Sequence, residues 1–254
     1  MQEVLIKTIK DHSLSSVYLV KMGSKIYIKK TVPREFAHEF YKQKYLAKKC
    51  KKIKIPKIYS IKGRGKFVSC IMEYLPKDSG KINLGDILEA ASMFHDETRR
   101  INSSLFRIYD FEGFYIDFLI ARKYLPTELK QLNKKQLKEL LGVVFDSKYS
   151  IVHGDFHKDQ VFKCKNKPYM IDFISSFYGP SILDYTYFVR GKKRISKSIL
   201  IQADNNLKKF IRSLIVIYIF DIAWFINRRK HEKKSFNEEI SQTSKLIKYN
   251  LKRV

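Results

Sequence analysis

Cysteine is nearly missing from this chain. The three present, Cys50, Cys70 and Cys164, stand in no paired or metal-like spacing. That excludes a disulfide scaffold or a thiolate metal cage and fits reduced thiols in a cytosolic setting. Long apolar runs are missing too. The most apolar stretch, Leu214 to Ile226, is 13 residues and contains Asp221; a bilayer needs ~20, so the stretch reads as a buried helix, with interfacial attachment beside Arg228, Arg229 and Lys230 as the minority reading. The amino terminus, Met1 to Lys10, has too short an apolar run and the wrong flanks for a signal peptide. There is no internal repeat, low-complexity tract or long linker. No Gly-x-Gly-x-x-Gly precedes the first strand. Acid is in deficit, with 25 acidic against 51 basic residues and a net charge of +26, a field that attracts anions and repels polycations. Of those basic residues 39 are Lys and 12 Arg, the bias an AT-rich coding sequence yields by itself, so part of the charge says nothing about partners.

What is present is concentrated in two short segments. Ile151-Val-His-Gly-Asp-Phe-His-Lys-Asp-Gln160 is followed, after a hairpin, by Met170-Ile-Asp-Phe173. Val161 to Cys164 reads as a strand, Lys165 to Pro168 as a turn and Tyr169 to Asp172 as the returning strand, an antiparallel return that places Asp172 beside the loop holding Asp155 and Gln160. Transfer of a γ-phosphoryl group needs a carboxylate to orient the acceptor hydroxyl and oxygen ligands to hold Mg²⁺ against the phosphates. Asp155 suits the first task, and Asp172 with Gln160 suits the second, since hard Mg²⁺ takes one or two carboxylates plus waters and phosphate oxygens.

These residues resemble the kinase-like phosphotransferases that include the aminoglycoside, choline and lipopolysaccharide-core kinases, whose catalytic loop reads roughly His-Gly-Asp-x-His-x-x-Asn. Gln160 departs from that pattern, keeping the amide oxygen and adding one methylene. The resemblance covers roughly residues 13 to 190. It implies Asp155 as catalytic base, Asp172 as main metal ligand, Gln160 as the second, and His153 as a loop-bracing residue. It also implies that Asp184, in Gly179-Pro-Ser-Ile-Leu-Asp184, ties the catalytic loop to the following helix. The fold implied is α+β: a two-lobed protein-kinase-like fold with a small antiparallel β-sheet and one helix in the N-terminal ATP-binding lobe, residues 1–75. A mostly helical C-terminal lobe, residues 76–254, carries the catalytic loop and acceptor site.

The amino-terminal segments agree with that expectation. Val17 to Met22 and Lys25 to Lys30 alternate and turn as a hairpin would. Ile26-Tyr-Ile-Lys29 is similar to the family's third-strand signature, which makes Lys29 the phosphate-contacting lysine, with Lys30 as the alternative if the register slips by one. Arg34 to Lys49 reads as a helix; Glu39 on it stands where the family pairs a glutamate with that lysine, and Glu35 is the alternate. Ser13 stands where aminoglycoside-type kinases carry a serine over the phosphates. Phe67 to Glu73 reads as a buried strand leading into a turn-rich boundary, where the resemblance implies that Glu73, Tyr74 and Leu75 meet adenine through main-chain atoms. Asn83 and Asn133 each cap an amphipathic helix. Residues 99–130 match no motif; the acceptor is expected there or at the carboxy-terminal helices.

The expectation for function is an ATP- and Mg²⁺-dependent phosphotransferase. It acts on a hydroxyl of a small or glycan-type acceptor, an anionic sugar or lipopolysaccharide-core moiety before a cationic aminoglycoside. The setting is cytoplasmic, with peripheral contact at an anionic inner membrane face as an extension. The alternatives are a protein kinase, disfavoured by the missing glycine loop, and an inactive pseudokinase serving as a basic membrane- or nucleic-acid-binding module. Lys48-Lys-Cys-Lys-Lys52 lacks the interleaved aromatics that nucleic-acid binding favours.

Overall fold

The computed structural model describes residues 3–12, 15–78, 82–101, 103–191, 195–229 and 235–254. The amino-terminal elements are β1 (Glu3–His12), β2 (Ser15–Met22), β3 (Lys25–Pro33), α1 (His38–Lys49), β4 (Ile58–Arg64), β5 (Phe67–Glu73) and α2 (Leu84–Thr98). There follow α3 (Phe111–Ala121), α4 (Thr127–Lys130), α5 (Lys134–Phe145), β6 (Tyr149–Val152), β7 (Val161–Cys164), β8 (Lys167–Met170) and β9 (Phe177–Pro180). The chain closes with α6 (Ile182–Val189), α7 (Lys197–Gln202), α8 (Leu207–Arg229) and α9 (Asn237–Leu251). The fold class is α+β, as expected. The residues group into two compact units, Met1–Phe106 with His157–Ser176, and Arg107–Phe156 with Phe177–Val254.

In the first unit, β1 to β5 form an antiparallel sheet of order β1-β2-β3-β5-β4. The β2–β3 turn is the two-residue Gly23-Ser24, with Gly23 at φ +63, a conformation that costs glycine little. Side chains alternate across the strands, so Ile28, Lys30 and Val32 share one face of β3. Val32 is fully buried there with Phe40 of α1 and with Ile58, Val68, Cys70 and Met72 of the neighbouring strands. Each such buried side chain contributes roughly 1.5–3 kcal/mol relative to exposure. Burial pushes the Cys70 thiol up to about 12, so this cysteine serves as a core hydrophobe. The helix expected over Arg34 to Lys49 is interrupted: Arg34–Phe36 form a 3₁₀ turn and α1 begins at His38. Asn83 caps α2 in a reciprocal box, accepting from the Asp86 N–H at 2.9 Å while Asp86 accepts from the Asn83 N–H at 3.3 Å.

The same unit holds the β7–β8 hairpin, paired from Val161↔Met170 to Cys164↔Lys167. Its turn is shorter than the sequence suggested. Only Lys165 and Asn166 lie outside the strands, at φ +53 and +58, a two-residue turn with both central residues left-handed. The Asp78 carboxylate accepts both of their N–H groups, at 2.9 and 3.0 Å, which supplies the stabilisation that glycine usually makes unnecessary. The returning strand therefore starts at Lys167 and ends at Met170, leaving Asp172 beyond it.

In the second unit α8 is the central element, packed by α3, α5, α6 and α9. Its segment Leu207–Arg228 is by length and composition apolar enough to cross a membrane, but 67% of the most apolar stretch is buried against the rest of the protein. Asn133 caps α5 through the Gln136 N–H at 2.9 Å, and Leu137, Leu141 and Val144 are fully buried along its inner stripe. β6 pairs antiparallel with β9, Val152 opposite Phe177. That short pair fixes the entry to the His153–Asp155 loop and the start of α6.

Candidate active site

The first unit brings a lysine and two carboxylates together. Lys30 Nζ donates to Glu39 Oε1 at 2.5 Å and to Asp172 Oδ1 at 3.2 Å. The Glu39 side chain is almost fully buried and that of Lys30 is 12% exposed, whereas the Asp172 side chain keeps 31% of its surface exposed. Burial works to lower the Lys30 pKa, but Glu39 and Asp172 outweigh it and the net shift is upward, so the ammonium stays charged. Lys29, chosen from the strand signature, is on the opposite face and pairs with Glu3 at 2.7 Å near solvent. The correction follows from strand geometry: Lys30 shares a face with Ile28 and Val32, and a one-residue shift exchanges faces.

Asp172 sits at φ +70 directly after the hairpin, a left-handed conformation that only short polar residues and glycine enter readily. Strain of this kind gathers at functional positions. Both flanks hold it. On one side the Ile171 N–H donates to the Gln160 carbonyl at 3.1 Å. On the other, Phe173 is fully buried with its ring centroid 5.7 Å from that of Phe94. Next, Lys42 of α1 reaches the backbone, donating to Ser176 O at 2.6 Å and to Ile174 O at 3.3 Å. Burial lowers the Lys42 pKa to about 8, with Glu39 opposing the shift. One helix thus holds Lys30 through Glu39 and the segment after Asp172 through Lys42. Sequence reasoning missed Lys42, although it lies on the buried stripe of Glu39, Gln43 and Leu46.

Gln160, buried in a 3₁₀ turn, places Nε2 3.0 Å from His157 Nε2. Among the described residues no group of three or more His, Cys, Asp or Glu is arranged to hold a metal, so an all-protein cage is not preformed there. The donor set nevertheless fits Mg²⁺, which takes few carboxylates when phosphates complete its shell. Lys30, Glu39 and Asp172 carry a formal sum of −1, and the buried Glu39 Oε2 has no hydrogen-bond partner among the described residues, an arrangement that favours additional positive charge. Of the expected adenine contacts, the Glu73 N–H is donated to Lys57 O at 2.8 Å and its carboxylate accepts the Lys57 N–H at 3.1 Å. Tyr74 is exposed and Leu75 half-buried. Ser13 lies outside the described residues.

In the second unit Asp184 accepts the N–H of His153 at 2.8 Å and that of Gly154 at 3.1 Å, one on each carboxylate oxygen. Gly154 takes φ +79. His153 is fully buried with its ring beside Phe156. The loop leading to Asp155 is thus held through its backbone, while the Asp155 side chain remains 40% exposed, with Oδ1 3.8 Å from Arg190 Nη2.

No family model matches the sequence, and no curated protein matches it. Solved structures match its fold over nearly the whole chain. The aminoglycoside phosphotransferase APH(4)-Ia superposes with a TM-score of 0.69 at 12% identity, covering 99% of this chain and 94% of its own. The amicoumacin kinase hAmiN, solved with AMP-PNP, Ca²⁺ and Ami, gives 0.63 at 14% identity, covering 100% and 89%. Choline kinase from Cryptosporidium parvum Iowa II gives 0.61 at 14% identity, covering 99% and 89%. The chain has the fold of the kinase-like phosphotransferases.

Proposed function

We propose that the protein is an ATP- and Mg²⁺-dependent phosphotransferase acting on a hydroxyl of a small or glycan-type acceptor. The observation that carries this reading is the Lys30–Glu39–Asp172 cluster on a kinase-like fold. In this reading Lys30, held in place by Glu39, contacts the α- and β-phosphates of ATP. Asp172 and Gln160 hold Mg²⁺, which supplies charge neutralisation to the phosphates. Asp155 accepts the proton of the acceptor hydroxyl; the acceptor oxygen bonds to the γ-phosphorus, and the bond from that phosphorus to the β,γ-bridging oxygen breaks, leaving ADP. Residues 1–75 serve as the ATP-binding lobe, with Ser13 over the phosphates and main-chain atoms of Glu73 to Leu75 at adenine. Residues 76–254 carry the acceptor.

The acceptor class follows from charge. A net +26 disfavours a polycation such as an aminoglycoside and favours an anionic sugar or lipopolysaccharide-core moiety, met in the cytoplasm or at an anionic membrane face. Incubation with γ-labelled ATP and cell extract, sorted into lipid, glycan and protein fractions, tests this: label is expected in glycan or glycolipid. Label confined to protein overturns the acceptor class.

A further inference from the structure

Asp221 is an acid in the most apolar helix of the chain, and its neighbours explain why it is tolerated. It is buried on α8, where burial pushes its carboxyl up to about 6 against the opposing pull of Arg190. Arg190 Nη1 donates to Asp221 Oδ1 at 2.8 Å. The Arg190 guanidinium lies 5.0 Å from the centre of the Tyr187 ring, and the next residue, Gly191, donates its N–H to the Tyr218 hydroxyl at 3.3 Å. Arg190 is therefore fixed by α6 beneath it and by α8 beside it. Its other arm, Nη2, is the one that faces Asp155 Oδ1 at 3.8 Å.

That distance exceeds a hydrogen bond and suits an ion pair, so Arg190 can orient the Asp155 carboxylate without taking up its lone pairs. The chain around Asp155 is then gripped twice by α6 and the residue that ends it. Asp184 holds the backbone of the two preceding residues, and Arg190 faces the side chain itself. An anion-binding role fits Arg190 less well, because two carboxylates already face one guanidinium.

We propose that Arg190, clamped by Asp221, is a positioning residue for Asp155 and sets the direction in which its carboxylate meets the acceptor hydroxyl. This rests on the phosphotransferase reading above. Removing Arg190 alone strands a buried carboxylate and endangers folding. The test therefore uses the paired Arg190→Met, Asp221→Leu protein, in which no buried charge is left unpaired, together with Arg190→Lys in the full chain. With water as the acceptor, Mg²⁺-ATP turnover by the paired variant should fall roughly tenfold in kcat, with KM for ATP within about twofold, and Arg190→Lys should recover most of the loss. Independently of turnover, three-bond NMR couplings across the Cα–Cβ bond of Asp155, assigned by the signal lost in Asp155→Asn, should report one rotamer in the parent and an average in the paired variant. An Asp155 equally ordered in both proteins overturns the proposal. An ordered-to-averaged change in a protein that turns over no ATP upholds the hold of Arg190 on Asp155 and removes the phosphotransferase reading instead.

Discussion

Lys30 Nζ stands 3.2 Å from Asp172 Oδ1, across 142 residues of sequence. The strand lysine proposed to grip phosphate and the acid proposed to grip metal thus already meet as an ion pair. Lys29, its neighbour, pairs instead with the exposed Glu3. Lys30→Met should lower kcat/KM for ATP turnover by roughly 100-fold or more, as losing a charge-stabilising donor does. Lys29→Met should stay within about twofold, because an exposed pair is worth little. Steady-state kinetics on both variants, with thermal melts to confirm folding, decide between the two lysines.

Asp184 is nearly fully buried and spends both oxygens on the N–H groups of His153 and Gly154. Asn in its place keeps one acceptor and turns an N–H₂ group toward a backbone N–H. Asp184→Asn should therefore cost about 2–3 kcal/mol of stability, the scale of a charge-assisted buried hydrogen bond. Urea midpoints at constant slope measure it. An unchanged midpoint would show that the loop stands without this tie.

Lys42 makes the stability depend on pH in the same direction as the acid-sensitive pattern, but in an alkaline window. Its folded pKa, about 8, lies below the ordinary 10.5, so between those values the unfolded chain binds the extra proton and the folded chain does not. Stability should rise as pH climbs through that window, by at most about 3 kcal/mol, while below about pH 8 the cost of burying the ammonium is present in full. The urea midpoint of the parent minus that of Lys42→Met, followed from about pH 7.5 to 10, isolates the effect. A flat difference would mean that Lys42 keeps an ordinary pKa.

Much of this architecture could be read from local chemistry. The strand Phe67–Glu73 and the Asn83 and Asn133 caps stand where residue patterns placed them, because a capping side chain and a period-2 alternation are decided within a few residues. The cap of α3 was readable as well: Asp110 accepts the Gly113 N–H at 2.9 Å, although the surrounding segment matched no motif. What escaped was register and partnership. Two adjacent lysines differ only in the face they occupy, and Ile28 and Val32 decide that face through burial in the sheet. The hairpin turn carries no glycine and depends on Asp78, 87 residues away from Lys165. Arg190 and Asp221 define each other only in three dimensions, although an acid inside an apolar run already demanded a cation somewhere.

Transfer of label from γ-labelled ATP, with Asp155→Asn beside the parent protein, tests the central claim most directly. The parent should turn over ATP in a magnesium-dependent reaction, and Asp155→Asn, folded and still binding nucleotide, should lose about 100-fold or more of that rate, the scale of a general base. Turnover by Asp155→Asn at the parent rate would contradict the role given to Asp155 and the reaction built on it.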